Sequence, residues 1–153
     1  MADRRELSEE YSEIGKELIE TEPELRYLKG APVSIVFLKS SHKKKSKGKI
    51  IYGQCEKVQD KNKWAIPADF TITVFEPNCE YFTDEQLRIL IFHELLHVGV
   101  DYDGNHSVLP HDLEDFKLII DRYGTDWSKN PKEDKDDKPE EKTQESNHEI
   151  DNA

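Results

Sequence analysis

The segment 92–98 reads FHELLHV and places the pattern H-E-x-x-H inside an apolar run. Residues four positions apart lie above one another on one face of a helix, so His93 and His97 can direct two imidazoles at one Zn²⁺ ion. Glu94 follows the first histidine, where its carboxylate can act as general base on a water molecule that the metal activates. This spacing predicts the hydrolytic chemistry of zinc metallopeptidases.

The flanking sequence predicts that the pattern lies on a buried helix. Thr83 and the three residues after it read as a capping box. The following positions are apolar on nearly every side, which is typical of a buried helix. These positions are Leu87, Ile89, Leu90, Ile91, Phe92, Leu95, Leu96 and Val98. Buried imidazoles and carboxylates are costly unless partnered, and a metal ion would satisfy them. The alternative is a core helix with hydrogen-bonded histidines and no metal.

A catalytic zinc site needs a third protein ligand and keeps one position open for water. The candidates that follow His97 are Asp101, Asp103, His106 and His111. Asp101 would continue the same helical face, which is poor geometry for a third ligand. The longer motif H-E-x-x-H-x-x-G-x-x-H fails at Val100, where it needs glycine, although an Asp103 ligand is conceivable. His106 lies in a predicted turn.

His111 is the favoured third ligand because it stands at the start of a second predicted helix. Pro110 precedes it, acidic residues fill the first turn, and Gly124 lies just past the end. Apolar residues at helical spacing would pack this helix against the first. They are Leu113, Phe116, Ile120 and Tyr123. Glu114 and Asp115 are either ordinary first-turn acids or partners that orient a ligand. The alternative for His111 is an exposed residue near a helix start.

Periodicity predicts an α+β domain over residues 1–128, in the order of a minimal zincin. We expect an N-terminal helix at 5–20, then a small three-stranded sheet from strands 33–38, 49–55 and 70–75, then the H-E-x-x-H helix and a C-terminal helix. The strand 70–75 is the favoured cleft edge, where an extended peptide can pair. Alternatively it lies centrally and the strand 49–55 forms the edge. Residues 129–153 carry nine acids and five lysines and are predicted to be a disordered acidic tail.

Composition narrows the class of protein further. The sequence has no apolar run long enough for a membrane span and no N-terminal signal peptide, so a cytoplasmic protein is expected. Cys55 and Cys79 form no C-x-x-C pair, so we expect unpaired thiols rather than a thiolate zinc site.

The lysine-rich segment 43–49 stands out in a chain with a net charge of −11. Clustered lysines can contact phosphates of a nucleic acid. The alternative, a solvated hairpin loop, is favoured because the net charge opposes DNA binding and no aromatic residues are interleaved for base stacking. The loop could also dock the acidic tail.

Two pieces of the sequence, HELLH at 93–97 and HDLEDF at 111–116, together resemble the phage metallopeptidases, a family encoded in phages and prophages. That family is similar in turn to the SprT-like and ImmA/IrrE-like minimal zinc peptidases. The resemblance covers residues 30–127. It implies that His93, His97 and His111 are zinc ligands, that Glu94 is the catalytic base, and that the substrate is a peptide or protein met in the host cytoplasm.

Some questions stay open at this point. The donor that stabilises the oxyanion is not singled out, and Tyr102, Tyr123 and His106 are the candidates. A zinc-stabilised binding or regulatory protein that acts on a host partner is the main alternative function. A nucleic-acid-associated factor that works through the lysine-rich loop is the other. The oligomeric state is not predicted.

Overall fold

The computed structural model describes residues 3–111 and 116–128. In this part of the chain the α-helices are α1 (Glu9–Thr21), α2 (Asp84–Leu95) and α3 (Lys117–Tyr123). The strands are β1 (Arg5–Leu7), β2 (Ile35–Ser40), β3 (Lys45–Ser46), β4 (Lys49–Ile50), β5 (Gly53–Lys57), β6 (Phe70–Phe75), β7 (Val98–Val100) and β8 (His106–Val108). The proposed roles of Glu114 and Asp115 and the predicted acidic tail fall outside the described residues.

The main sheet has four strands in the order β1-β2-β6-β5. β2 and β6 run parallel, whereas β1 and β5 pair antiparallel with their neighbours. The α+β class is confirmed, but the sheet has one strand more than the three expected. The expectation that 70–75 forms an edge was wrong: β6 is central and buried along its whole length, and β5 forms an edge instead.

Helix α1 starts later than the predicted helix 5–20. Ser8 is its N-cap, and its side chain accepts a hydrogen bond from the backbone N–H of Tyr11. The residues before it form β1, because their backbone pairs with Leu38–Ser40 of β2. Leu7 therefore leaves the predicted apolar face and is 74% exposed. Within α1, Gly15 leaves room for the ring of Phe37, which a Cβ atom would meet at 2.3 Å.

The predicted strand 49–55 is divided between two sheets. Its first residues form β4, which pairs with β3 as a tight hairpin around Lys47 and Gly48, both with positive φ. The rest belongs to β5. Asn78 holds the base of the hairpin, because its side-chain amide donates to the carbonyls of Lys44 and Ile51 at 3.0 and 2.7 Å. The lysine-rich segment thus includes a β-hairpin.

The hydrophobic core lies between the sheet and the helices α1 and α2. Fully buried members include Leu18 of α1, Ile72 of β6 and Phe92 of α2. Helix α3 is held to this body by Arg122, which donates to the carboxylates of Glu22 and Glu24 at 2.9 and 2.7 Å. Among the described residues, we find no helix that is both long and apolar enough to cross a membrane.

Candidate metal centre

Helix α2 carries the first two residues of the H-E-x-x-H pattern in its last turn. The capping box at Thr83 is present in full. The helix ends at Leu95, and the chain turns through Leu96 and His97 into β7. His97 therefore lies in the turn directly after the helix, not on a continuing helical face. The argument that Asp101 extends this face was wrong, because β7 intervenes.

His93, His97 and His111 lie together. One ligating atom of each lies within 4.8 Å of those of the other two. The Nε2 atoms of His93 and His111 face each other at 2.9 Å. The imidazole rings are also close, with centroid separations of 4.5 to 5.2 Å. These are the ligand-capable histidines that the sequence singled out, and they converge from three separate parts of the chain.

The backbone of Leu109 fixes the orientation of His97. Its N–H donates to the carbonyl of His97 at 2.6 Å. Its own carbonyl lies 2.6 Å from Nδ1 of the same imidazole. A carbonyl only accepts, so Nδ1 carries the proton and Nε2 keeps its lone pair. A ligating histidine in metal sites is typically held in this way, with its other ring nitrogen donating to a carbonyl or carboxylate.

Two aromatic rings border the histidine cluster. The ring of Phe116 lies 5.0 to 5.4 Å from all three imidazoles. The ring of Trp127 lies 6.4 Å from His93. The carbonyl of Trp127 accepts a hydrogen bond from Gln86 at 2.9 Å, so the chain after α3 is tied to the first turn of α2. The rings place apolar surface beside the imidazoles, while His111 itself is exposed.

Glu94 is buried beside the cluster, with only 4% of its surface exposed. Its Oε2 atom lies 4.0 Å from Nε2 of His93. On the other side it lies against the start of β5, where a Cβ atom at position 53 would come within 3.2 Å of Oε2. The carboxylate therefore lies between the imidazoles and the edge strand. Gly53 permits this close approach because it has no side chain.

The two thiols take no part in this cluster. Burial, together with the negative charges of Glu94 and Glu56, raises the pKa of Cys55 to about 12. Burial also raises the pKa of Cys79 to about 12, with a contribution from Glu76. Both cysteines are free, as expected. A thiol with such a pKa stays neutral near pH 7, and neither cysteine belongs to the histidine cluster.

Two of the other candidate ligands, Asp101 and His106, are engaged elsewhere, and Asp103 lies outside the histidine cluster. The carboxylate of Asp101 accepts hydrogen bonds from the backbone N–H groups of Asp103 and Asn105 at 2.9 and 2.8 Å, which closes the β7–β8 turn. The imidazole of His106 lies 3.1 Å from the carbonyl of Pro32 and 3.7 Å from the carboxylate of Asp69. Among the described residues, the metal-capable cluster consists of His93, His97 and His111.

The candidate oxyanion donors are also placed by the structure. His106 has the partners just described. Tyr102 is fully exposed at the tip of the β7–β8 hairpin. Tyr123 lines a cleft with Thr83, Gln86 and Trp127, near the first turn of α2. The structure gives no contact that singles out one of the three for this role.

Sequence reasoning missed some residues that shape the site. Leu109 acts through its backbone, and Gly53 acts through the absence of a side chain, so neither has a signal in residue type. Trp127 reaches His93 only because the chain returns to α2 after α3. A helix was predicted to begin at Pro110, but Pro110 and His111 are not helical; among the described residues after them, α3 begins at Lys117, and Phe116 before it has an extended backbone.

The donor set fits a metal ion. Imidazole nitrogens bind borderline divalent ions such as zinc, copper, nickel and iron. Three of them with a free fourth position is the arrangement of catalytic rather than structural sites. The buried carboxylate adds a base next to that position. The cluster can therefore hold a metal ion and present a proton acceptor to whatever binds beside it.

The chain was compared with curated proteins and with solved structures, and neither comparison gave a match. A family model does match, over residues 3–133. This range includes the three histidines, Glu94 and the whole of the main sheet. The family is described as "Putative phage metallopeptidase". The match spans most of the sequence, and this chain belongs to that family.

Proposed function

We propose that this protein is a zinc-dependent metallopeptidase, in which His93, His97 and His111 hold Zn²⁺ and Glu94 is the general base. The observation that carries the proposal is the convergence of the three imidazoles within 4.8 Å, with the buried carboxylate 4.0 Å from one of them. A site that only stabilises a fold has no need of a base at this position. Membership of the family supports the same activity.

The side chains have separate tasks in this reaction. A bound zinc ion supplies Lewis acidity, which makes water a nucleophile near neutral pH. Glu94 accepts a proton from the water that attacks the scissile carbonyl, and it then delivers that proton to the leaving amine. The carbonyl of Leu109 holds His97 in the tautomer whose Nε2 keeps its lone pair. Phe116 and Trp127 border the imidazoles with apolar surface.

The edge strand β5 is our candidate for binding the substrate backbone. It ends the main sheet among the described strands, and its first residue touches both Glu94 and Leu90 of α2. An extended peptide that pairs with an edge strand gains main-chain hydrogen bonds whatever its sequence. A peptide on β5 would run past Glu94, which places a peptide bond near the base. This supports a peptide or unfolded protein as the substrate.

Metal analysis and a cleavage assay on an unfolded, fluorescently labelled protein test the proposal. Wild type should bind one equivalent of zinc and cleave. His111→Ala should lose zinc affinity by more than the ~10–100-fold that follows loss of an outer hydrogen-bond partner, because a ligand itself is removed. His106→Ala is the matched control and should keep zinc. Glu94→Gln should keep zinc and lose roughly 10²–10⁴-fold in rate.

Two results would contradict the proposal in different ways. A wild-type protein that binds no stoichiometric zinc overturns the metal site. A zinc-loaded wild type that cleaves no unfolded protein overturns the peptidase activity, and it favours a zinc-stabilised binding or regulatory protein instead.

A further inference from the structure

A pocket of about 660 Å³ lies beside the candidate metal centre, on the β7–β8 hairpin. This volume falls within the range of about 300–1,000 Å³ that small-molecule sites occupy. Most of the lining side chains are apolar or aromatic. The main ones are Tyr27, Ala31, Pro32, Val100, Tyr102 and Leu109. Neither the three histidines nor Glu94 line this pocket, so it is separate from the metal centre itself.

Leu109 joins the pocket to His97. Gly99 pairs with Ser107, and the two contacts between the Leu109 backbone and His97 lie directly beyond that pair. Residues opposite each other in an antiparallel pair project to the same face. Gly99 and Ser107 are thus on one side, where the side chain of Leu109 also lies, and Val98 is buried on the other.

The spacing along the hairpin suits a substrate side chain. Gly99 is two residues beyond His97, and two residues of chain span at most about 7 Å. Successive Cα atoms of a peptide are about 3.8 Å apart. A peptide whose scissile bond lies at the metal centre therefore brings the side chain one or two residues away to the mouth of this pocket.

The chemistry of the walls favours an apolar side chain. The hydroxyl of Tyr27 already donates a hydrogen bond within the protein, to the carbonyl of Val98 at 2.6 Å. The charged group in the lining is Asp101. Backbone N–H groups of the adjacent turn donate to its carboxylate and hold its pKa below the usual range, so it stays anionic and disfavours acidic side chains.

The floor of the pocket is fixed by Gly99. A Cβ atom there would lie 2.7 Å from the Ser107 hydroxyl oxygen and 2.9 Å from Cδ2 of Leu109. The side chain of Leu109 thus folds over Gly99, while its backbone holds His97. The same residue forms part of the pocket wall and positions a candidate ligand.

We propose that this pocket receives an apolar side chain of the substrate, one or two residues from the scissile bond, and so selects where the chain is cut. This inference rests on the proposed peptidase function and names its substrate preference. Leucine and phenylalanine side chains should be favoured, glycine should lack the contact, and glutamate should be disfavoured.

Dipeptide hydroxamates that differ in a single side chain test the pocket, because the hydroxamate group anchors each compound on the metal. Calorimetry on the zinc-loaded protein should show that the leucine and phenylalanine compounds bind at least about tenfold tighter than the glycine compound. Ala31→Trp, which fills the pocket, should remove this preference by lowering the affinity of the leucine and phenylalanine compounds to that of the glycine compound. Leu7→Trp on β1 is the control, because that residue is exposed at the far edge of the main sheet.

A second variant and a second measurement test the pocket independently of the first experiment. Tyr102→Ala removes a fully exposed side chain at the pocket and should weaken the preference severalfold without affecting folding. N-acetyl-leucinamide added to zinc-free His111→Ala should shift the backbone NMR signals of Gly99 and Ser107, and N-acetyl-glutamate amide should not. This second readout depends on neither zinc nor cleavage.

The outcomes separate the two proposals. Equal affinity for all hydroxamates, or a preference that survives Ala31→Trp, overturns the pocket while the metal site stands. Absence of zinc, with the NMR shifts still present, overturns the proposed function and retains an apolar binding pocket. Absence of the NMR shifts overturns the pocket even where hydroxamates bind.

Discussion

Gly53 sets how closely the backbone of β5 approaches Glu94. A Cβ atom at this position would lie 3.2 Å from both Oε2 of Glu94 and Cδ1 of Leu90. Both neighbours would have to move by a few tenths of an ångström, and the carboxylate would leave its place between the imidazoles and the edge strand. Small misplacements of a reacting group reduce the rate steeply, by roughly 10²-fold for about 1 Å. Gly53 is therefore a positioning residue for the base.

Gly53→Ala should lower kcat about tenfold, on this reasoning, and should leave zinc affinity unchanged because none of the three histidines is displaced. Steady-state kinetics on an unfolded protein and zinc titration measure the two effects separately. Lys57→Ala, at the opposite end of the same strand, should change neither. If kcat stays at the wild-type value, the contact between Gly53 and Glu94 does not position the base.

Among individual residues, the sequence identified those whose proposed role depends on the type of side chain. His93, Glu94, His97 and His111 were all identified from spacing and from a resemblance, and the structure brings them together. The contacts that orient them were not identified. The carbonyl of Leu109 and the missing side chain of Gly53 act through backbone position, and backbone position follows from tertiary packing rather than from local sequence.

Helix α2 shows how much an element can be predicted from its own residues. The side chain of Thr83 accepts from the N–H of Gln86 at 3.1 Å, and the side chain of Gln86 accepts from the N–H of Thr83 at 2.8 Å. These reciprocal bonds satisfy backbone groups that the helix start leaves open. Because the motif is entirely local, the sequence was sufficient to predict it. The far end of α2 depends on the pairing of β7 with β8, and there the prediction extended the helix too far.

Thr83→Ala should therefore lower the free energy of unfolding by about 1 kcal/mol, the usual cost of losing such a cap. Urea unfolding followed by circular dichroism measures the change. Thr21→Ala is the matched control, because the exposed hydroxyl of Thr21 caps no helix start: it donates to the carbonyl of Glu17 at 2.9 Å and accepts from Arg88 at 3.5 Å. Equal destabilisation by the two substitutions would contradict a specific role of the capping box. Zinc binding should survive in both variants.

The strands show why longer-range features escaped prediction. The sequence FTITVF at 70–75 alternates apolar residues with threonine, which predicts one buried face. Thr71 and Thr73 are nevertheless buried, and the guanidinium of Arg5 donates to the hydroxyl of Thr73 at 3.3 Å, so side chains cover the second face of the sheet as well. The short strand β1 has no signal of its own, since it exists only through pairing with β2 more than thirty residues later. Element type could be predicted, but position in the sheet could not.

At the scale of the whole molecule, the histidine cluster joins the end of helix α2 to both ends of the β7–β8 hairpin. His93 belongs to α2, which packs in the core beside α1 and the main sheet. His97 precedes β7, and His111 follows β8. A metal ion held by all three would tie the β7–β8 hairpin and the segment after it to the end of α2. Metal binding at this place should stabilise the native state as a whole.

Removal of the metal should therefore lower the melting temperature. A metal that binds only the native state adds about 4 kcal/mol when its free concentration is roughly a thousandfold above the dissociation constant. For a chain of 153 residues, each kcal/mol corresponds to about 2–4 °C. Addition of 1,10-phenanthroline to the zinc-loaded protein should thus reduce the melting temperature by about 8–16 °C in scanning calorimetry. His111→Ala should melt at nearly the same temperature with and without the chelator, whereas Glu94→Gln should respond as wild type does. A wild type whose melting is insensitive to the chelator would show that the three histidines do not share an ion that links the hairpin to α2.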